Sequence, residues 1–283
     1  MSLLGPAPLP QAFFLPTASG QRFCLFHPPQ GDVQRGCMLY LHPFAEELNA
    51  TRRVAAQQAR ALAQAGYGVL QIDLLGCGDS EGDLADATWQ AWLQDARLAH
   101  RWLQEHAGGP LWLWGLRAGA LLATALASEL ADPCHLLLWQ PAISGQQQLQ
   151  QFLRLHTASQ WLGHGNASGP PPAHLLDQGQ SVDIAGYTLT PTLAQGLAAA
   201  RLQPPPKPPG RLVWLELSAQ AEPMLTPASV QHLALWRDAG WAVSALALTG
   251  PLFWQTVAHD EAPALLQATL DTLHETGTQA KTP

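Results

Sequence analysis

A strand, a tight turn and a helix follow one another without a break over residues 111–131. Leu111–Trp114 is bulky and apolar throughout, which is typical of a strand buried on both faces of a sheet. Gly115 and Gly119 flank the turn, where a strand and a helix must approach closely. The apolar run that follows predicts a helix, and an Asp-Pro dipeptide stops it. This unit predicts a layered α/β fold, and Arg117 stands at the centre of its turn.

The pattern Gly-x-Arg-x-Gly resembles the nucleophile elbow of α/β-hydrolases, Gly-x-Ser-x-Gly, with Arg117 in place of the serine. In such an elbow a strained turn lifts a hydroxyl beside a histidine and an oxyanion hole. Arginine cannot be that nucleophile, because its guanidinium stays protonated and offers donors only. Its place at a helix N-terminus is also unfavourable for a cation. We therefore expect an anion beside Arg117, either a carboxylate of the chain or a ligand.

Composition excludes several classes of protein. The chain has 283 residues, of which 47% are hydrophobic, so it can bury a large core. Its net charge of -7 argues against a nucleic-acid partner. No leader sequence and no apolar run of ~20 residues is found, so we expect a cytoplasmic protein without membrane insertion. The four cysteines have no C-x-x-C spacing, which predicts buried free thiols, and we expect no cofactor and no metal.

Strands and helices alternate along most of the chain, which predicts the α/β-hydrolase fold: a mostly parallel central sheet with helices on both faces. Between residues 146 and 210, glutamine and proline clusters predict an inserted cap. The predicted division is therefore a first core part (1–145), a cap (146–210) and a last core part (211–283). The predicted strands are Gln11–Pro16, Arg22–His27, Cys37–Leu41, Val69–Ile72, His135–Trp139, Leu212–Leu217 and Ala242–Leu248. The predicted helices include Thr51–Ala65, Thr88–Ala107, Gln146–Leu155 and Glu261–Thr276.

The other catalytic positions of an α/β-hydrolase are only partly filled. The loop that carries the acid offers Glu222. Where a histidine is expected after the last strand the chain has Phe253, and His259 lies further on as a candidate. The oxyanion-hole amides would be those of Phe44 and Ala118. We therefore expect the hydrolase machinery to lack its nucleophile and its histidine.

Three ionisable side chains lie on the loop expected to face the elbow. His42 is the histidine most suited to line the pocket. Glu46 and Glu47 offer carboxylates: in one interpretation, one of them forms a salt bridge with Arg117 while the other points to solvent. In the alternative, Arg117 holds an anionic ligand, or a free glutamate acts as a base.

Stretches over nearly the whole chain resemble the family called exosortase A system-associated hydrolase 2, a branch of the α/β-hydrolase superfamily. They are HPFAEELNATRR (42–53), IDLLGCGDSEGD (72–83), WGLRAGALLA (114–123), LLLWQPAISGQQQLQQFLRL (136–155), IAGYTLTP (184–191) and GPLFWQT (250–256). The resemblance implies a bacterial cytoplasmic protein encoded near an exosortase and exopolysaccharide system. It implies no substrate, and the serine and histidine roles do not carry over to Arg117 and Phe253.

Two functions are consistent with this sequence. The first is a non-catalytic binding module for a small anionic or acyl ligand, or for a partner protein of the exosortase and exopolysaccharide system. The second is an active ester or thioester hydrolase that uses reassigned residues, with Glu46, Glu47, His42 and His259 as candidates.

Overall fold

An eight-stranded sheet forms the centre of the computed structural model, which describes residues 9–161, 170–206, 209–256 and 260–274. The strands in these described ranges are β1 (Gln11–Thr17), β2 (Gly20–His27), β3 (Gly36–Leu41), β4 (Tyr67–Ile72), β5 (Leu111–Leu116), β6 (His135–Trp139), β7 (Val182–Ile184), β8 (Tyr187–Leu189), β9 (Arg211–Ser218) and β10 (Ala242–Thr249). The order across the central sheet is β1-β2-β4-β3-β5-β6-β9-β10. The pairs β1–β2 and β2–β4 are antiparallel and the other five pairs are parallel, so the predicted mostly parallel sheet is confirmed.

Both faces of the sheet are covered, as the continuous apolar strands predict. Along β5, Leu113 packs into one hydrophobic cluster, while Trp112 and Trp114 pack into a second cluster on the other side. This alternation is the two-residue repeat of a strand, here with both faces apolar. The cysteines are buried free thiols, as predicted, and burial raises the pKa values of Cys24 and Cys77 to about 12.

Eight α-helices are found within the described residues. They are α1 (Glu46–Gln64), α2 (Trp89–His106), α3 (Ala118–Glu129), α4 (Gly145–Trp161), α5 (Pro172–Asp177), α6 (Pro191–Ala199), α7 (Pro227–Asp238) and α8 (Pro263–His274). Thr88 caps α2 by accepting the Ala91 N–H, which confirms the helix predicted there. None of the helices in the described ranges is long and apolar enough to cross a membrane.

Helix α1 begins earlier than the sequence predicts. The expected start lay at Asn49 or Thr51, but the helix begins at Glu46, directly after Ala45. Ala45 has φ 49° and ψ -121°, a conformation that alanine rarely adopts and for which the sequence carries no signal. Tertiary contacts therefore set this helix start, and they place two acidic residues in the first turn of α1, which the helix dipole favours.

The segment between β6 and β9 forms a small layer of α4, α5, the β7–β8 hairpin and α6 over the sheet. The two ends of this segment meet, because Ser144 and Arg201 form an antiparallel bridge. Its contact with the core includes the rings of Phe152 and Phe44, whose centres lie 5.0 Å apart. The hairpin was not predicted, and the division at residues 146 and 210 stays a prediction.

Candidate functional site

The turn between β5 and α3 has the geometry of an elbow. Arg117 stands between strand and helix with φ 54° and ψ -119°. A positive φ is strained for a residue with a side chain, and such strain is concentrated at functional positions. A Cβ atom at Gly115 would lie 2.5 Å from Ala120 Cα, and one at Gly119 would lie 2.1 Å from the Leu41 carbonyl oxygen. Close packing therefore requires both elbow glycines.

The Arg117 side chain is held by three neighbours. Its Nε lies 3.0 Å from Oε1 of Glu47, and its Nη2 donates to Oε1 of Gln151 at 2.8 Å. Its guanidinium carbon lies 5.5 Å from the centre of the Trp254 ring, a cation–π distance. The side chain is only 11% exposed, so an unpaired charge there would be costly. The anion expected beside Arg117 is thus supplied by the chain itself.

Glu47 links the core to the cap as well as pairing with the elbow. Its side chain is 8% exposed, and its Oε2 accepts a hydrogen bond from Nε2 of Gln148 at 3.4 Å. Burial raises the pKa of Glu47, and the Arg117 guanidinium opposes that rise. Arg117 and Glu47 from the core therefore both contact α4 through glutamine side chains.

Glu46 is not the glutamate that pairs with Arg117, and the residue is only partly exposed. Its Oε2 is shielded from solvent and has no hydrogen-bond partner in the described part of the chain. Burial, reinforced by repulsion from Glu47, raises the pKa of the Glu46 carboxyl to about 7, although Arg117 opposes the rise. The pKa of the Tyr187 hydroxyl is also raised: burial is the largest cause, and the nearby Glu46 carboxylate is the second.

Little space remains at the predicted oxyanion hole. Phe44 and Ala118 line the same cavity, but its volume is only about 10 Å³, roughly the space of one water molecule. The Phe44 ring packs between those of Trp92 and Phe152, at centre distances of 5.9 Å and 5.0 Å. The role of the two amides as oxyanion donors stays a prediction, and the packed rings leave no room for an acyl chain.

His42 is not available to a ligand. It is buried in the wall of the same small cavity. Its Nδ1 lies 2.7 Å from the Pro43 carbonyl oxygen, and its Nε2 accepts the Leu74 N–H at 3.3 Å. Burial lowers its pKa, which favours the neutral ring that these two bonds require. His42 therefore lines the cavity beside the elbow and ties two loops together, and its role in ligand binding stays a prediction.

Among the described residues, no hydrogen bond or ion pair links Arg117 to the acid position or to the position where a histidine is expected. Glu222 is exposed on the loop after β9. Phe253 is 1% exposed and belongs to the core, whereas its neighbour Trp254 reaches Arg117. His259 lies outside the described residues. In the described ranges no group of three or more His, Cys, Asp or Glu side chains could hold a metal ion.

Three residues of the site were missed by the sequence analysis: Gln148, Gln151 and Trp254. The two glutamines lie three positions apart, so they share one face of α4. The glutamine-rich start of that helix was the available signal, because amides at this spacing can bind a buried ion pair. No comparable signal distinguishes Trp254 from Phe253, since both are aromatic residues of one loop.

Comparison with known proteins agrees with this fold. The family model Hydrolase_4, described as serine aminopeptidase, S33, matches residues 33–178, just over half of the chain. The lysophosphatidylserine lipase ABHD12 of Danio rerio is 34% identical over 109 residues, which are 37% of this chain and 27% of that protein. The chain thus spans about a quarter of the length of the curated relatives it matches.

Solved structures show the same fold at low sequence identity. Est1E from Butyrivibrio proteoclasticus, solved with bound ferulic acid, has a TM-score of 0.64 at 14% sequence identity. The match covers 95% of this chain and 100% of that chain. XC6422 from Xanthomonas campestris, described as a serine hydrolase without lid, has a TM-score of 0.57 at 17% identity, covering 100% of both chains. These similarities establish the fold.

Proposed function

We propose that this chain, which belongs to the Hydrolase_4 (serine aminopeptidase, S33) family of α/β-hydrolases, is a binding module that has lost serine-type catalysis. One observation carries the proposal: Arg117 occupies the apex of a well-formed elbow and is paired with Glu47 and Gln151. The elbow backbone is kept, and its side chain holds internal contacts where a hydrolase has a free nucleophile.

The chemistry of the paired residues supports this proposal. A guanidinium has no lone pair to attack a carbonyl carbon at physiological pH. Trp254, the residue of the last loop that reaches Arg117, has an indole that donates but cannot accept a proton. The lipase activity named for the zebrafish relative is therefore not part of the function that we propose.

The same contacts bear on what is bound. Glu47 already balances the Arg117 charge, so the electrostatic reason for an anionic ligand is weak. The cavity of about 10 Å³ that Phe44 and Ala118 line is too small for an acyl ligand, whereas Glu46 and Trp254 line a separate cleft of about 560 Å³. The proposed biological setting, beside a partner protein of an exosortase and exopolysaccharide system, rests on the sequence resemblance alone.

A second candidate function is an ester or thioester hydrolase with Glu46 as general base. The observation that favours it is the pKa of about 7 at Glu46, which suits proton transfer at neutral pH. This candidate requires a water molecule as nucleophile, because the elbow provides none.

One set of assays separates the two candidates. The protein is incubated with p-nitrophenyl esters and acyl-thioesters, and with a fluorophosphonate that labels activated serines. We expect no labelling, and no turnover beyond the roughly 10³–10⁴-fold over water that an oxyanion hole and substrate binding supply without a triad. Turnover above that level that is lost in Glu46→Gln, but kept in the exposed control Glu129→Gln, would establish the second candidate.

Serine labelling would contradict both candidates. Three serines lie near strand ends or loops of the core: Ser80, Ser144 and Ser218. The Ser80 hydroxyl donates to the Asp73 carbonyl oxygen at 2.5 Å and accepts the Phe23 N–H at 2.8 Å, so it ties a turn to the sheet. Stoichiometric labelling of any one of the three would show an active site elsewhere.

A further inference from the structure

A cleft of about 480 Å³ opens at the end of the sheet opposite the elbow. It is lined by Leu111, the first residue of β5, whereas Arg117 directly follows the last residue of that strand. At about 3.3 Å per residue, the six residues of β5 separate the cleft from the elbow by about 20 Å. The volume lies within the range of small-molecule sites in proteins. The cleft is therefore a second candidate site, distinct from the elbow.

His100 is the buried polar residue in the wall of this cleft. It is 8% exposed, and it makes no hydrogen bond or ion pair with any other residue of the described ranges. Neither of its ring nitrogens belongs to the fully shielded unpartnered atoms found in those ranges, so the small exposed part of the residue includes both nitrogens. Because His100 lines the cleft, a ligand seated there meets a ring with free hydrogen-bonding capacity.

The His100 ring is an acceptor at neutral pH. Burial lowers its pKa, the Arg101 charge lowers it further, and the Asp132 carboxylate opposes both effects. A neutral imidazole has one nitrogen that accepts a hydrogen bond. Arg101 itself lines a different cavity, beside the turn between β1 and β2, so its charge is not part of the cleft wall.

The electrostatic surroundings of the cleft are negative. Ala107 and Leu130, which directly follow the last residues of α2 and α3, both line it, and each helix C-terminus carries about half a negative charge. Asp132 adds an exposed carboxylate that has no ion pair among the described residues. Within the described part of the chain, no lysine or arginine lines the cleft. These features favour a cation and repel an anion.

The lining also selects the kind of cation. In the described ranges no group of three or more His, Cys, Asp or Glu side chains could hold a metal ion, so the wall offers no ligand set for one. It does offer apolar side chains, among them Pro110, Leu111 and Pro133, to a carbon skeleton. An organic ammonium group combines the charge, the N–H donors and the carbon chain that this wall accommodates.

We propose that this cleft binds a small alkylammonium compound, whose N–H groups donate to the His100 ring and to the Asp132 carboxylate. The exposed amide of Gln104 also lines the cleft, and it lies four residues after His100 on the same face of α2, so its oxygen supplies a further acceptor. The inference goes beyond the proposed function and does not depend on it, because the elbow contributes no residue to this wall.

The test is calorimetric titration of the whole protein with matched four-carbon probes: n-butylammonium, 1-butanol and butyrate. The titration is done at pH 7.5 and low ionic strength, because salt screens the attraction to an exposed carboxylate. We expect saturable binding of n-butylammonium in the millimolar range. Binding of 1-butanol should be at least about tenfold weaker, since a charged donor makes the stronger hydrogen bonds, and butyrate should not bind.

Variants identify the groups involved. His100→Phe keeps a planar ring in the wall but removes both nitrogens, and should weaken n-butylammonium binding about tenfold. Asp132→Asn removes an exposed charge and should weaken it about threefold. The matched controls are His232→Phe in α7 and Asp177→Asn, an exposed aspartate at the end of α5. Neither residue lines the cleft, so both controls should bind as the wild-type protein does.

A blocking variant provides an independent check. Gly108 is exposed in the cleft wall, and a Cβ atom there would meet only the Gln34 side chain, at 3.7 Å or more. Gly108→Leu is therefore compatible with the fold, and its side chain should narrow the cleft and abolish binding. Urea unfolding of each variant confirms that the protein is folded.

The outcomes are distinct. Absence of n-butylammonium binding overturns the inference, and so does an equal affinity for 1-butanol or a higher affinity for butyrate. Binding that is unchanged in His100→Phe, Asp132→Asn and Gly108→Leu would place the ammonium group elsewhere on the protein and would also overturn it. Each of these results leaves the proposed function standing, because the esterase and serine-labelling assays test the elbow alone.

Discussion

Nε of Arg117 lies 3.0 Å from Oε1 of Glu47, and both side chains are almost completely shielded from solvent. One residue stands at the start of α3 and the other in the first turn of α1. The pair therefore joins the two helix starts that meet at the elbow. A charge buried without its partner is costly, so removing either residue of this pair should destabilise the folded protein.

Replacing Arg117 tests that dependence. Arg117→Ser should lower the free energy of unfolding by about 3–5 kcal/mol, because Glu47 is left buried without its partner. The measurement is urea unfolding at neutral pH. Arg53→Ser, which breaks the exposed pair with Glu261, is the control and should cost at most about 1 kcal/mol.

Two further results complete that experiment. Adding Glu47→Gln to Arg117→Ser should recover part of the lost stability, because the stranded charge is removed. Arg117→Ser should also remain inactive toward p-nitrophenyl acetate, since a base is still missing. A fully stable and active Arg117→Ser protein would show that a base does serve the elbow and that Glu47 does not need the arginine.

The loop after β10 permits a matched pair of variants. In the Arg117→Ser background, Trp254→His should yield a trace of p-nitrophenyl acetate hydrolysis, because position 254 is the one that reaches the elbow. Phe253→His should yield none and should cost about 3 kcal/mol, because it buries a polar ring in the core. If the Arg117→Ser, Phe253→His protein were active and the Arg117→Ser, Trp254→His protein were not, position 253 and not position 254 would be the one that reaches the elbow.

Glu46 should make stability depend on pH. Its pKa in the folded protein is about 7, above the ordinary value of 4.5, so the folded state holds the proton more tightly than the unfolded state. The stabilisation is full below pH 4.5 and is lost as the pH rises to about 7. Relative to Glu46→Gln, the wild-type protein should lose about 1 kcal/mol between pH 5 and 8 after allowance for solvent screening. Parallel pH profiles of the two proteins would contradict this.

The glutamines of α4 should hold the cap against the core. Gln148→Ala removes the amide that donates to Glu47, so amides near the start of α4 should exchange hydrogen faster. Gln151→Ala should have a smaller effect, because this residue is exposed. Gln147→Ala, an exposed neighbour, is the control and should behave as wild type. Hydrogen exchange of peptides from residues 145–155 measures all three, and equal rates would show that the cap is held by its ring contacts alone.

Local signals were sufficient for most of the fold. The apolar strand before Arg117, the two glycines around it and the helix after it predicted the elbow, since each depends on nearby residues. Thr88 likewise predicted the start of α2, because a cap acts within one turn. The predicted start of α1 was wrong because its cause, a positive φ at Ala45, is imposed by packing.

The sequence by itself determined that Arg117 would need an anion nearby, from the chain or from a ligand, and that Phe253 would stand where a histidine is expected. Only the tertiary structure decided between Glu46 and Glu47, and between Phe253 and Trp254. The members of each pair are adjacent and chemically alike, so local chemistry does not distinguish them. Successive side chains on a helix point about 100° apart, and the direction of each depends on where the helix starts. That start is set by contacts with residues far away in the chain, which no local pattern records.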